Sequence, residues 1–123
     1  MPDPQPTILI VDDEPAIRRI AARVLQRAGF SVLDAADGEE AFKVWQEHRD
    51  QVALVITDVM MPRRNGWELL EAIRAESPGL PFVMTSGYDA SDGSAPALNH
   101  KVEVLDKPWE AHRLVATARS MIG

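Results

Sequence analysis

The chain contains no cysteine, so it has neither a disulfide framework nor a thiolate metal site. It also lacks any apolar run near the roughly 18 residues of a membrane span. Residues 1–7 have neither the basic start nor the apolar core of a secretory signal. We therefore expect a cytoplasmic protein without membrane insertion.

Positive charge is also scarce. The 13 Lys and Arg residues are outnumbered by 19 acids, which gives a formal charge of −6. The basic residues are spread along the sequence, so direct binding to nucleic acid is not expected. A length of 123 residues suits a single domain. We assign residues 1–6 to a tail and residues 7–123 to that domain.

Strand and helix patterns alternate along the chain. Pro15 falls in the first turn of a first helix, with Asp13 as its expected N-cap, and apolar residues recur at helical spacing until Gly29. Gly93 and Pro96 make any fourth helix, within 88–101, short or irregular. The predicted strands are 7–11, 31–35, 52–57, 82–86 and 102–105, and the other helices are 39–47, 67–76 and 109–122. This order predicts an α/β fold with a mainly parallel sheet covered on both faces.

Chemically useful side chains stand where the predicted strands end. Asp12 and Asp13 follow the first strand, Asp58 the third, Ser86 ends the fourth and Lys107 comes just after the fifth. Open α/β sheets bind ligands at this edge. Magnesium prefers oxygen ligands, and a carboxylate can attack phosphorus while an ammonium and a hydroxyl stabilise the transferring group. Each acid alone could simply cap a helix or end a strand, but their convergence predicts metal-dependent phosphorylation of a carboxylate.

The motifs that carry these residues resemble those of response-regulator receiver domains of two-component signalling. The matching stretches are Ile8-Leu9-Ile10-Val11-Asp12-Asp13-Glu14-Pro15, Thr57-Asp58-Val59-Met60-Met61-Pro62 with Asn65-Gly66, Thr85-Ser86-Gly87-Tyr88 and Lys107-Pro108-Trp109. The resemblance covers nearly the whole chain. It implies a flavodoxin-like, doubly wound (βα)5 fold whose five parallel strands lie in the order 2-1-3-4-5.

The same resemblance implies roles for the site residues. Asp58 would accept a phosphoryl group from a phosphohistidine on a histidine kinase or histidine phosphotransfer protein. Ser86 and Lys107 would contact the phosphoryl oxygens. The implied ligands of Mg²⁺ are Asp13, Asp58, Asp12 through water, and the backbone carbonyl of Met60. Such a domain modifies only itself, so it is not expected to be an enzyme.

The chain departs from the family in the region that would transmit the signal. Many members carry an aromatic residue three positions before the lysine, where this chain has Val104, so a rotamer relay there is not available. Tyr88 is more simply explained by surface packing. We expect phosphorylation to change partner binding through residues 86–107. Homodimerisation, the downstream output and a place within a hybrid kinase are left open.

Two alternatives remain at this point. One is a degenerate receiver that acts only as a docking domain. The other is a small Mg²⁺-dependent phosphohydrolase, which the adjacent pair Asp12-Asp13 disfavours, because such enzymes carry acids one residue apart. Ile17 and Ile20 begin the first helix, where family members dock the histidine-bearing helix, but core packing explains them equally well.

Overall fold

The computed structural model describes residues 5–61, 64–86 and 101–122. In that part of the chain each strand is followed by a helix, except that the last two strands follow one another. The elements are β1 (Thr7–Val11), α1 (Pro15–Arg27), β2 (Ser31–Ala35), α2 (Gly38–Glu47), β3 (Val52–Asp58), α3 (Gly66–Arg74), β4 (Phe82–Ser86), β5 (Val102–Asp106) and α4 (Ala111–Ile122). No helix among these residues is long and apolar enough to cross a bilayer.

The five strands form one parallel sheet in the order β2-β1-β3-β4-β5. In the central register, Leu9 of β1 lies opposite Leu33 on one side and Val55 on the other. This arrangement confirms the predicted doubly wound α/β fold and its strand order. The predicted short or irregular fourth helix falls almost wholly on residues 87–100, which lie outside the described residues.

Successive side chains of β1 point to opposite faces of the sheet and enter two separate cores. Ile8 and Ile10 join a core with α1 and α4, whereas Leu9 and Val11 join a core with α2 and α3. Every residue of β1 and of β4 is buried. This explains why the central strands read as continuous apolar runs rather than as alternating ones.

The element boundaries follow the sequence predictions closely. Strands 7–11, 31–35 and 82–86 are confirmed, while β3 and β5 each continue one residue further. The second helix starts one residue early, at Gly38, because the Asp37 side chain accepts a hydrogen bond from the Glu40 backbone N–H at 2.9 Å. The third helix, predicted as 67–76, runs from Gly66 to Arg74, and the last begins at Ala111 rather than at 109.

The predicted cap of the first helix is wrong. Glu14, not Asp13, occupies the N-cap position, and its side chain makes no capping hydrogen bond. The backbone N–H of Glu14 instead donates to Asp12 Oδ1 at 2.9 Å, so the turn before the helix is held by the preceding acid. Asp13 is therefore left exposed beside that turn.

Candidate functional site

The carboxyl edge of the sheet brings three of the predicted site residues into direct contact. Lys107 Nζ donates to Asp12 Oδ2 at 2.8 Å and to Asp58 Oδ2 at 3.1 Å. Asp12 follows the inner strand β1, Asp58 ends the central strand β3 beside it, and Lys107 follows the edge strand β5. The side chains of Asp12 and Asp58 are only 5% and 11% exposed, so this cation lies between two nearly buried anions.

A third carboxylate joins them. Asp12, Asp13 and Asp58 each offer an oxygen within 4.8 Å of the others. Asp12 and Asp58 are buried while Asp13 is exposed, so the cluster is open to water on one side. Oxygen ligands with room for water are what a hard cation such as Mg²⁺ requires. The donor set therefore fits the predicted metal.

The electrostatics of the site are set by burial and by the lysine. Burial raises the pKa of Asp58, and the negative charge of Asp12 raises it further, while Lys107 and the Met60 backbone N–H act in the opposite direction. Burial alone would lower the pKa of Lys107, but its hydrogen bonds to Asp12 and Asp58 outweigh this and raise it. Lys107 is accordingly a fixed positive charge at neutral pH.

The loop after β3 carries a direct contact to the acceptor candidate. The Met60 backbone N–H donates to Asp58 Oδ1 at 3.3 Å, while the Met60 side chain is exposed. The Gly66 N–H donates to the Val59 carbonyl at 3.0 Å, which folds the loop back onto the strand end. A Cβ at Gly66 would lie 2.8 Å from the Asp58 carbonyl oxygen, so only glycine allows this approach. The metal-binding role of the Met60 carbonyl stays a prediction.

The start of α3 is fixed by a capping box. Asn65 Oδ1 accepts a hydrogen bond from the Glu68 backbone N–H, and Glu68 Oε1 accepts one from the Asn65 N–H, both at 2.9 Å. The backbone N–H groups of Asn65 and Glu68 are thereby both hydrogen-bonded. The loop that carries Met60 is thus anchored at Asp58 and at the helix.

Ser86 lies at the end of β4, as predicted. It is buried, and its carbonyl accepts a hydrogen bond from the Lys107 backbone N–H at 2.9 Å, which ties the end of β4 to the residue after β5. The role of its hydroxyl towards a phosphoryl group stays a prediction. Gly87 and Tyr88 lie outside the described residues.

Arg18, which the sequence did not single out, stabilises the turn between β1 and α1 that contains Asp12 and Asp13. Arg18 Nη1 donates to the Asp12 carbonyl at 2.7 Å, and Arg18 Nε donates to Asp34 Oδ2 at 3.2 Å. Arg18 thereby links the turn to the end of β2. The only signal in the sequence is an arginine one turn inside the first helix, because its partner Asp34 becomes a neighbour only through strand pairing.

An apolar groove of about 340 Å³ borders the site, with Lys107 at its wall. Ile17 and Ile20 of α1 line one side and Pro108 and Trp109 the other. Ile20 is 53% exposed, so core packing does not account for it. On the edge strand β5, Val104 is 46% exposed, and its side chain is aliphatic at the position where many family members have an aromatic residue.

Comparison with known proteins identifies the class. The model of the response regulator receiver domain family matches residues 8–119, and the chain belongs to that family. In solved structures, the receiver domain protein from Clostridium thermocellum superposes with a TM-score of 0.87 at 28% identity, covering 95% of this chain and 94% of that one. The receiver domain of the hybrid histidine kinase CckA gives a TM-score of 0.82 at 35% identity, covering 95% and 99%.

Curated relatives place the same domain inside longer proteins. The sensor kinase CckA of Brucella abortus is 37% identical over 118 residues, which cover 94% of this chain and 12% of the kinase. The probable transcriptional regulatory protein TcrX of Mycobacterium tuberculosis is 31% identical over 98% of this chain and 51% of its own length. The chain thus spans about half of the one relative and about an eighth of the other. What it has in common with them is the signalling domain.

Proposed function

We propose that the chain is the phosphoacceptor of a two-component phosphorelay, with the receiver unit at residues 7–123. Asp58 would take a phosphoryl group from a phosphohistidine on a histidine kinase or histidine phosphotransfer protein. The observation that carries the proposal is the position of Lys107 Nζ, which donates to both Asp12 and Asp58 beside the exposed carboxylate of Asp13.

The transfer needs an ionised Asp58 with one oxygen free to attack. From the described residues, Oδ1 accepts only the long hydrogen bond of the Met60 N–H, and Oδ2 faces Lys107. As the new P–O bond forms, the P–N bond of the donor breaks and its electron pair returns to the imidazole, which takes a proton from solvent. Lys107 then stands next to the oxygens over which the phosphoryl charge spreads. Attack of water on the same phosphorus would release inorganic phosphate and regenerate the carboxylate.

Asp13 and Asp58, with Asp12 through water and the Met60 carbonyl, would hold Mg²⁺. The ion, when bound, would neutralise charge on the phosphoryl oxygens. Asp13 is the exposed member of the cluster, so its carboxylate is the one that solvent reaches most readily. Asp13→Ala should therefore abolish the metal dependence of phosphorylation, whereas Lys107→Ala should leave a protein that binds the metal but signals poorly.

For the output, we propose that the phosphoryl group draws the Ser86 hydroxyl towards it and changes partner binding through residues 86–107. The backbone link between Ser86 and Lys107 supports this, because movement at the end of β4 is transmitted directly to the residue after β5. Val104 lies on β5 between these points and is exposed, which makes it part of the surface that would change.

The test is intact-protein mass spectrometry after incubation with acetyl phosphate, in the presence of Mg²⁺ or of EDTA. Wild type should gain one phosphoryl group only with Mg²⁺, and Asp58→Ala should gain none. Asp106→Asn is the matched control, because Asp106 also ends a strand at this edge but lies outside the carboxylate cluster. It should be phosphorylated like wild type.

A phosphoryl group retained on Asp58→Ala would disprove the assignment of the acceptor. The absence of any adduct, together with failure of beryllofluoride to bind in the presence of Mg²⁺, would favour the docking-only alternative.

A further inference from the structure

The folded chain separates its charges onto two faces, although the basic residues look scattered in the sequence. Helices α1 and α4 pack together on one side of the sheet and contain no acidic residue. They carry six of the 13 basic residues: Arg18, Arg19, Arg23, Arg27, Arg113 and Arg119. On the other side, α2 and α3 carry five glutamates against two basic residues. An acidic protein thus has one distinctly basic face.

Half of these arginines, namely Arg23, Arg27 and Arg113, form no side-chain hydrogen bond or ion pair with the residues that the structure describes. Arg19, Arg23 and Arg27 recur at intervals of four along α1, are exposed, and form no ion pair with residues 5–61, 64–86 or 101–122. Arg27 lies in the last turn of α1, and Arg119 Nη2 donates to the Ala28 carbonyl at 3.3 Å. Both positive charges therefore stabilise the carboxyl end of α1, where the helix dipole is negative. Arg19 Nε donates to the Pro15 carbonyl at 3.5 Å within α1, so Arg23 is the one of the three whose position no contact with the described residues explains.

A groove of about 480 Å³ runs between the two helices on this face. Its lining residues are Val24, Arg27, Ala28, Ala111, His112, Val115, Ala116 and Arg119. The floor is aliphatic, and arginines from both helices form the rim. The α1 side runs from Val24 to Ala28, about 6 Å or one helical turn. Ile20, which lines the smaller groove beside Lys107, lies one turn before Val24 on the same helix.

We propose that this groove docks an acidic amphipathic helix of a partner protein. Apolar side chains of such a helix would fill the aliphatic floor, and its flanking carboxylates would pair with the rim arginines, whose planar guanidinium groups suit bidentate carboxylate binding. A bilayer surface fits less well, because the apolar side chains are recessed and cannot insert. Nucleic acid fits less well, because the floor is aliphatic and offers no aromatic platform for stacking.

The acids nearest to this surface lie at one end of it. Glu110 is 3.9 Å from His112, and Glu103 is near the same histidine on a neighbouring surface. The part with uncompensated positive charge is therefore the end formed by Arg23, Arg27 and Arg119. Docking at that end goes beyond the proposed phosphoacceptor function, and it requires no phosphoryl group on Asp58.

The test is an amide chemical-shift titration of the full, unphosphorylated chain at low ionic strength. The probe is a synthetic helical peptide of about 14 residues with leucines on one face and glutamates on both flanks. Shifts should concentrate at Val24, Ala28 and Val115. Arg23→Glu with Arg27→Glu should weaken binding about tenfold or more. Lys43→Glu, which reverses one positive charge at an exposed position on α2, should bind like wild type, whereas Arg27→Glu alone, with the same charge change, should weaken binding.

Several results would overturn the proposal. Equal binding of a peptide with lysines in place of the glutamates would remove the role of charge, and equal binding of one with serines in place of the leucines would remove the role of the groove. The same amides shifting with protein concentration alone would assign the face to a second copy of the chain. Tighter binding to anionic vesicles than to the peptide would assign it to lipid. No binding at millimolar peptide would also refute it.

Discussion

Replacing Lys107 with methionine should destabilise the metal-free protein by about 2 kcal/mol near pH 7.5. The methionine replaces the unbranched aliphatic part of the side chain but lacks the ammonium group, so it leaves Asp12 and Asp58 facing each other with no cation between them. Removing one partner of a fully buried ion pair costs about 3–5 kcal/mol. The cost here should be smaller, because Lys107 is 17% exposed and Asp58 keeps its hydrogen bond from the Met60 N–H.

The effect should depend on pH in a definite direction. The pKa of Asp58 is already raised in the folded protein, and loss of Lys107 removes a group that lowers it. The folded variant then binds protons more readily than its unfolded chain does, so its stability falls as pH rises through the raised pKa. The difference between variant and wild type should therefore be small near pH 4 and should grow towards pH 8.

The assay is urea unfolding in EDTA across this pH range, with Lys43→Met as the control for loss of an exposed lysine. A second variant isolates the cause. When Asp58→Asn accompanies Lys107→Met, the buried carboxylate facing Asp12 is gone and the exposed carboxylate of Asp13 is the one left beside it, so the cost relative to Asp58→Asn alone should fall to about 1 kcal/mol. A stability within about 0.5 kcal/mol of wild type would refute the reasoning, as would strict additivity of the two substitutions.

Two further substitutions test how the site is held in place. Gly66→Ala should destabilise the protein by about 1–3 kcal/mol and weaken beryllofluoride binding, because the new methyl group would push on the Asp58 carbonyl, whereas Gly79→Ala, with nothing within 4 Å of its Cβ, should change unfolding by less than about 1 kcal/mol. Arg18→Gln should cost about 1–2 kcal/mol in thermal unfolding and weaken Mg²⁺ binding in a fluorescence titration, since it releases the Asp12 carbonyl; an unchanged Mg²⁺ affinity would limit Arg18 to a structural role.

Much of the sheet could be predicted because its central strands are buried on both faces. Runs such as 7–11 and 82–86 leave little choice of structure, and they end where the side chains change to polar ones. The same pattern predicts Asp12, Asp58 and Lys107 at one edge of the sheet. The geometry of their contact follows from strand order, which the resemblance to the family supplied.

Other features depend on contacts between residues that are far apart in the sequence. The turn that contains Asp12 is held by Arg18, whose partner Asp34 lies on a separate strand. The N-cap of the first helix is Glu14 rather than Asp13, and Asp12 accepts the hydrogen bond of the Glu14 backbone N–H. The basic face was missed for the same reason. Arginines separated by about 90 residues, such as Arg27 and Arg119, become neighbours only when their two helices pack.

The contact between Lys107 and Asp12 joins residues 95 positions apart in the sequence. Closing so long a loop costs entropy, and the contact requires β3 and β4 to be in place, because both lie between β1 and β5 in the sheet. The site is therefore complete only when the whole sheet is complete. A folding intermediate or a truncated chain that lacks β5 would display the carboxylates without their lysine. The acceptor chemistry proposed for Asp58 should accordingly appear with global folding and not before it.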